Sequence, residues 1–141
     1  MSITLDIAFE IIAAARSHAR DLGLKPITIA VLDSGGHLIG LAREDGTSNM
    51  RAEIAQGKAR GAVSMGLGSR ALFKRAQEQP FFIQSMNALA GGSLVPVPGG
   101  VLIRDENDIV GAVGITGDSS DNDEKCAVFA IETAGYTADP G

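Results

Sequence analysis

Two histidines, His18 and His37, carry the clearest ligand chemistry in this 141-residue sequence. His18 falls beside Ile7 and Ile11 at the margin of an apolar helical stripe, where a neutral imidazole could ligate the metal of a bound cofactor. His37 follows Gly35 and Gly36, so an open turn could present it to a ligand. The alternatives are a boundary histidine with its tip in solvent for His18 and a surface cross-strand pair for His37.

Lys58 is the candidate catalytic group, together with Asp33 and Asp45. It lies in the middle of a predicted helix with Ala55 and Ala62 on the same side. A lysine in that setting can extend its ammonium to water, pair with Asp33 or Asp45, or bind a ligand carboxylate. If Lys58 and a carboxylate converged in a pocket, proton abstraction next to a carbonyl would be feasible.

Glycines near the end of the chain suggest a place where another group comes close. Gly99 and Gly100 precede a predicted strand, and Gly117 follows another. Glycine permits positive φ and close approach of a flat ligand or of another backbone, and tight strand packing is the structural alternative. Thr116 offers a hydroxyl, and the loop after it precedes a helix N-terminus, which favours a carboxylate or propionate. Asp123 is predicted to cap that helix or to favour its N-terminus by its charge.

Several common sites are absent from the sequence. Cys126 is the only cysteine, and the two histidines are far apart, so no zinc-ligand spacing is present. The stretch 66–71 matches a loose dinucleotide pattern but follows a predicted helix rather than a strand. No serine lies in a G-x-S-x-G nucleophile elbow.

Hydrophobic periodicity and turn residues define the elements that must position these groups. They predict helix, hairpin, helices, hairpin and helix in one domain over 1–141, with an antiparallel sheet covered by helices. A short edge strand around Leu94 to Pro96 and a flexible tail over 137–141 complete the prediction. The predicted helices cover about 4–21, 49–64, 69–76, 81–89 and 123–136, and the predicted strands cover 27–32, 37–43, 101–104 and 109–116.

Composition limits the classes of partner. The net charge of −5 leaves no basic face for a phosphate backbone, so nucleic acid is not expected. No apolar run approaches the ~20 residues of a membrane span, and no leader-like pattern opens the chain. The single cysteine fits a reducing compartment, so a cytoplasmic location is expected. Close packing through Ala and Gly favours a homo-oligomer.

Six stretches, taken in order, resemble the HbpS/GlcG-like haem-binding family, which is related to the C-terminal domain of PduO-type corrinoid adenosyltransferases. Two departures from the family pattern are visible. Glu44 stands where the family often has Met before Asp-Gly, and Leu102 stands where it often has Pro. The matching stretches are 30–38, 43–46, 54–59, 99–103, 110–117 and 123–127.

The resemblance implies a profilin-like α+β fold with a five-stranded antiparallel sheet between helices, assembling into tetramers or octamers. It also implies a small-ligand-binding protein, with haem or a corrinoid as the ligand in some members. The ligand-binding candidates are therefore His18, His37, Lys58, Gly99, Gly100, Thr116 and Gly117. His18 and His37 are the candidate ligands of a haem iron. A cofactor-free isomerase, tautomerase or hydrolase acting on a small carboxylic acid is the alternative, with Lys58, Asp33 and Asp45 as its candidate residues.

Overall fold

The elements of a computed structural model, which describes residues 2–141, follow the predicted order with one further strand at the C-terminus. The helices are α1 (Leu5–Asp21), α2 (Arg51–Met65), α3 (Ser69–Glu78), α4 (Pro80–Leu89) and α5 (Ser120–Thr133). The strands are β1 (Thr28–Asp33), β2 (Leu38–Arg43), β3 (Gly100–Asp105), β4 (Asp108–Thr116) and β5 (Thr137–Asp139).

The five strands form one sheet in the order β2-β1-β4-β3-β5, and all neighbours are antiparallel. Both predicted hairpins, β1–β2 and β3–β4, are confirmed. Each is closed by a tight turn, and in the first the Asp33 side chain accepts hydrogen bonds from the backbone N–H groups of Gly35 and His37 at 2.9 Å. These local turns allow sequential strands to pair directly.

Helices cover both faces of the sheet, which confirms the predicted α+β class. The apolar faces of α1 and α5 pack on one side in the main core, against residues such as Ile29, Val113 and Ile115. On the other side α2 packs on Leu32, Leu102 and Ala112. Beside α2, helices α3 and α4 meet in a smaller apolar cluster. No helix among residues 2–141 combines the length and apolar character that crossing a bilayer requires.

The first helix begins as predicted and the last one does not. The Thr4 side chain caps α1 by accepting the N–H of Ile7 at 3.3 Å. For α5 the capping residue is Ser119, whose hydroxyl accepts the N–H of Asn122 at 3.2 Å. Asp123 is therefore not the cap. It lies in the first turn of α5, where a carboxylate favours the helix N-terminus, and its side chain is buried.

Two predictions about the chain near the sheet edges are also wrong. Residues 94–96 form no strand. The expected flexible tail over 137–141 contains β5, which pairs with β3 and is fixed by an ion pair of 2.8 Å between Arg104 and Asp139. Pro140 then accepts a hydrogen bond from the N–H of Arg70. The sequence gives little signal for β5 because a three-residue strand is too short to show alternation.

Candidate functional site

A groove between α1 and α5 places His18 against an apolar wall. Its imidazole stacks on the ring of Phe129, with the ring centroids 3.9 Å apart and the planes 6° from parallel. Leu22 and Val128 extend the wall, and the open space of the groove is about 470 Å³. Phe129 covers one face of the imidazole. The two nitrogens of His18 point outward in the plane of the ring, so this stacking does not block them.

Charged residues frame this groove at its outer side. Glu124, Lys125 and Glu132 complete the lining. Glu124 is bound by Arg70, whose Nε lies 2.9 Å from the Glu124 carboxylate. Lys125 is exposed, so its ammonium is available to an anionic group on a ligand. The groove thus combines an imidazole, an apolar surface, one exposed cation and two carboxylates, of which Glu124 is paired with Arg70.

His37 has no comparable setting. Its side chain is 82% exposed, and its Nδ1 lies 3.4 Å from the Asp33 carboxylate in the β1–β2 turn. Hydrogen bonds from the backbone N–H groups of His37 and Gly35 hold the pKa of Asp33 below its ordinary value, and the neighbouring imidazole adds to this effect. The two candidate histidines therefore lie at different places, and only His18 has an apolar wall.

Lys58 is buried and pairs with Asp123 rather than with Asp33 or Asp45. Its Nζ donates to the carbonyl oxygen of Ile115 at 2.9 Å and to the Asp123 carboxylate at 3.3 Å. Both side chains are 2% exposed. Burial lowers the pKa of Lys58 and raises the pKa of Asp123, and in each case the partner's charge opposes the effect of burial. The pair joins α2 to α5 across the end of β4 and offers no surface to a substrate.

Of the predicted glycine and threonine candidates, Gly99 and Gly100 contact Lys58 of this buried pair. A side chain at Gly99 would meet the Lys58 ammonium, and one at Gly100 would overlap the backbone of Lys58. Thr116 is 1% exposed, and its hydroxyl accepts a hydrogen bond of 2.8 Å from Arg51. Gly117 has a φ of +147° and lies against the backbone of Pro26. Gly99 and Gly100 thus pack on Lys58, whereas Thr116 and Gly117, at the end of β4, contact Arg51 and Pro26.

Asp45 lies apart from Lys58, in the loop that follows β2. It lines a separate cleft with Arg16 and Glu44. The structure thus brings Gly99 and Gly100 against Lys58, places Thr116 and Gly117 at the end of β4, and leaves His18, Asp45 and the Asp33–His37 pair at three other places.

Sequence reasoning missed the partners that define the groove and the buried pair. Lys125, Phe129 and Glu132 recur at helical spacing on α5, which shows that they share a face. Nothing local shows that this face meets α1. The thiol of Cys126 lies on the inner side of α5, where burial raises its pKa to about 11, with the Asp123 charge adding to the effect. That thiol is therefore protonated at neutral pH and is not a nucleophile.

Comparison with known proteins gives one family. Residues 3–132 match the family model described as haem degrading protein HbpS-like. The protein GlcG of Escherichia coli K12 is 32% identical over 114 residues, which cover 81% of this chain and 81% of GlcG.

Two crystal structures are similar over nearly the whole chain. A PduOC–haem complex superposes with a TM-score of 0.86 at 23% identity, covering 96% of this chain and 97% of the other. The structure of HbpS superposes with a TM-score of 0.83 at 26% identity, covering 96% and 92%.

Proposed function

The chain belongs to the HbpS-like family, and from that premise we propose that it binds haem or a related tetrapyrrole in the groove between α1 and α5. The observation that carries the proposal is the position of His18, stacked on Phe129 beside an apolar wall. Imidazole is the protein ligand most often used for haem iron, and an apolar wall favours the binding of a flat macrocycle.

The residues of the groove fit such a ligand by their chemistry. His18 would supply the nitrogen ligand to the iron, and Phe129, Val128 and Leu22 would contact the macrocycle. Lys125 would pair with a propionate, since an exposed ammonium and a carboxylate attract one another. When bound, the iron would supply redox or ligand-binding chemistry that the side chains of the groove lack.

Two comparisons support the ligand class. The matched family is described as haem degrading, and the PduOC structure that shares this fold was solved with haem. The alternative enzyme, which acts on a small carboxylic acid, needed Lys58 to converge with a carboxylate, such as Asp33 or Asp45, in an accessible pocket. The geometry favours the binding function because Lys58 is 2% exposed and is already paired with Asp123.

Hemin titration of the purified protein tests this proposal. We expect a saturable shift of the Soret band for the native chain and loss of the histidine-ligated spectrum in His18→Ala. The matched control is His37→Ala, which removes the other histidine and should leave the spectrum unchanged. Thermal unfolding of each variant shows whether it remains folded.

Two results would contradict parts of this proposal. A native chain without a saturable Soret shift would reject haem as the ligand. A spectrum that changes in His37→Ala and not in His18→Ala would reject the groove as the site.

A further inference from the structure

A second cleft, of about 220 Å³, opens where α1 ends beside the start of β1 and the end of β2. Three cationic side chains line it, those of Arg16, Arg20 and Lys25, together with the carboxylates of Glu44 and Asp45. Its lining therefore carries one net positive charge, although the chain as a whole carries a net charge of −5. A local excess of positive charge in a concave site attracts small anions.

Glu44 holds two sides of this cleft together by hydrogen bonds. One carboxylate oxygen accepts the backbone N–H of Ile27 at 2.8 Å, and the other accepts the Nε–H of Arg16 at 3.1 Å. The Glu44 side chain is only 12% exposed. Because Arg16 is held through Nε, its two terminal NH₂ groups remain for another acceptor.

Arg20 lies on the same side of α1, one turn further along. Its Nη2 is 3.7 Å from the Glu44 carboxylate, which is too long for a hydrogen bond, and its side chain is 66% exposed. The Lys25 side chain lies at the rim and is exposed. Glu44 is thus occupied by Ile27 and Arg16, and Asp45 is the second carboxylate of the lining. The guanidinium of Arg20 makes no hydrogen bond with the residues that the structure describes. The Lys25 charge acts on Asp118, whose pKa it helps to lower.

We propose that this cleft binds a small oxyanion ligand, a carboxylate or a phosphate, between the guanidinium groups of Arg16 and Arg20. Planar guanidinium groups match both kinds of oxyanion through paired hydrogen bonds. The site is separate from the tetrapyrrole groove. His18 is two residues from both arginines, so it projects about 200° away from them around α1.

Arg20 is the residue to change, because Arg16 also holds the nearly buried Glu44. The test uses the haem-free full chain at low ionic strength, titrated separately with malonate and with inorganic phosphate. Two-dimensional NMR follows the backbone amides of Ala19, Leu24 and Asp45, which line the cleft. We expect saturable shifts that weaken as sodium chloride is added.

Arg20→Gln should raise the dissociation constant by about tenfold, the loss of one charge-assisted contact. Arg20→Lys keeps the positive charge but loses the paired N–H donors of the planar guanidinium. It should raise the dissociation constant by an intermediate factor. The matched control is Lys74→Gln, which removes one positive charge from an exposed position on α3. This control should leave binding within about twofold of the native value.

The outcomes separate the two sources of oxyanion. Saturation by malonate alone identifies a carboxylate ligand, and saturation by phosphate alone identifies a phosphate ligand. The proposal is overturned if neither probe saturates, or if Lys74→Gln weakens binding as much as Arg20→Gln does. Since no haem is present, failure here is independent of the hemin titration.

Discussion

Asp118 joins the loop before β1 to the start of α5. One carboxylate oxygen accepts the backbone N–H of Lys25 at 2.9 Å. The other accepts the N–H of Ser119 at 2.8 Å and the side-chain amide of Asn122 at 2.9 Å. The hydrogen bond from Asn122 is the largest of the effects that lower the pKa of Asp118 to about 2, followed by those from Lys25 and Ser119. These bonds exist fully only while the group is ionised.

Asp118 should therefore contribute to acid sensitivity. In the unfolded chain its pKa is near the ordinary value of 3.8, so the unfolded state takes up the proton first as pH falls. The stabilisation is present above about pH 4 and is lost as pH falls towards 2. In Asp118→Asn, we expect a lower urea midpoint at neutral pH and a shallower decline of that midpoint between about pH 4 and pH 2.

The control for this measurement is Asp105→Asn, in the β3–β4 turn and remote from these donors. It should follow the native pH profile. An Asp118→Asn profile parallel to the native one would show that the hydrogen bonds to Asp118 do not stabilise the fold.

The sequence predicts the position of Lys58 but not its partner. Its position in the middle of α2 among alanines follows from local periodicity, and a charged partner could be anticipated because a buried ammonium needs one. The partner could not be named, since Asp123 is 65 residues away and reaches Lys58 only because α2 and α5 both lie beside the end of β4. The position of the lysine was a local property and its partner a tertiary one.

The packing of α2 on the sheet depends on two glycines. Gly100 on β3 and Gly114 on β4 are cross-strand partners. A Cβ at Gly100 would overlap the carbonyl oxygen of Lys58, and a Cβ at Gly114 would overlap that of Ala55. The backbone of α2 therefore lies directly on these strands, and Gly100, which suggested a ligand surface, receives a helix instead.

This packing predicts that alanine destabilises the fold more at Gly114 than at Gly40. Gly114→Ala should lower the free energy of unfolding by at least about 2 kcal/mol, because the added methyl meets helix backbone that cannot rotate away. The control is Gly40→Ala on β2, where the nearest atom to the new methyl would be Ile12 Cδ1 at 3.4 Å.

Urea unfolding of both variants measures the difference. The Gly40→Ala change should alter the free energy of unfolding by less than about 1 kcal/mol. Equal costs at the two positions would contradict the close approach of α2.

Elements defined by local chemistry were predictable and those defined by distant pairing were not. Both hairpins follow from turn residues between β-branched runs, and α1 follows from its cap and stripe. β5 has no such signal, because its three residues are held by β3 and by the contact of Arg104 with Asp139. The groove could be predicted only in part. The spacing of its α5 residues shows that they share a helix face, but not that this face meets α1.

At the scale of the molecule, the two faces of the sheet have different roles. Both proposed ligand sites adjoin α1, on the side that holds the main core. The opposite side carries α2, α3 and α4. Of these, α4 has no charged residue, and only Ile83 among its side chains is buried. A surface helix of this kind is typical of a face that another molecule covers.

The apolar surface around α4 favours a second copy of this chain as its cover. Phe81 and Leu89 are 68% and 82% exposed, and Met50 is 67% exposed. Met50 lies near the end of α4, because it lines a cleft of about 320 Å³ with Gly91 and Gly92. The absence of charge from α4 removes the repulsion that two identical helices would otherwise experience. We therefore expect self-association through this surface, which by itself would pair two copies. The tetramer or octamer that the family resemblance implies would need a further interface.

Light scattering at micromolar concentration should give a mass four or eight times that of the chain. Leu89→Glu, at the most exposed apolar position, should shift the mass towards smaller species because a buried glutamate without a partner is costly. The control is Phe9→Glu on α1, which is 56% exposed on the opposite side of the sheet. It introduces the same charge and should leave the mass unchanged. A monomeric native chain would reject the assembly, and a mass lowered by Phe9→Glu alone would move the interface to the α1 face.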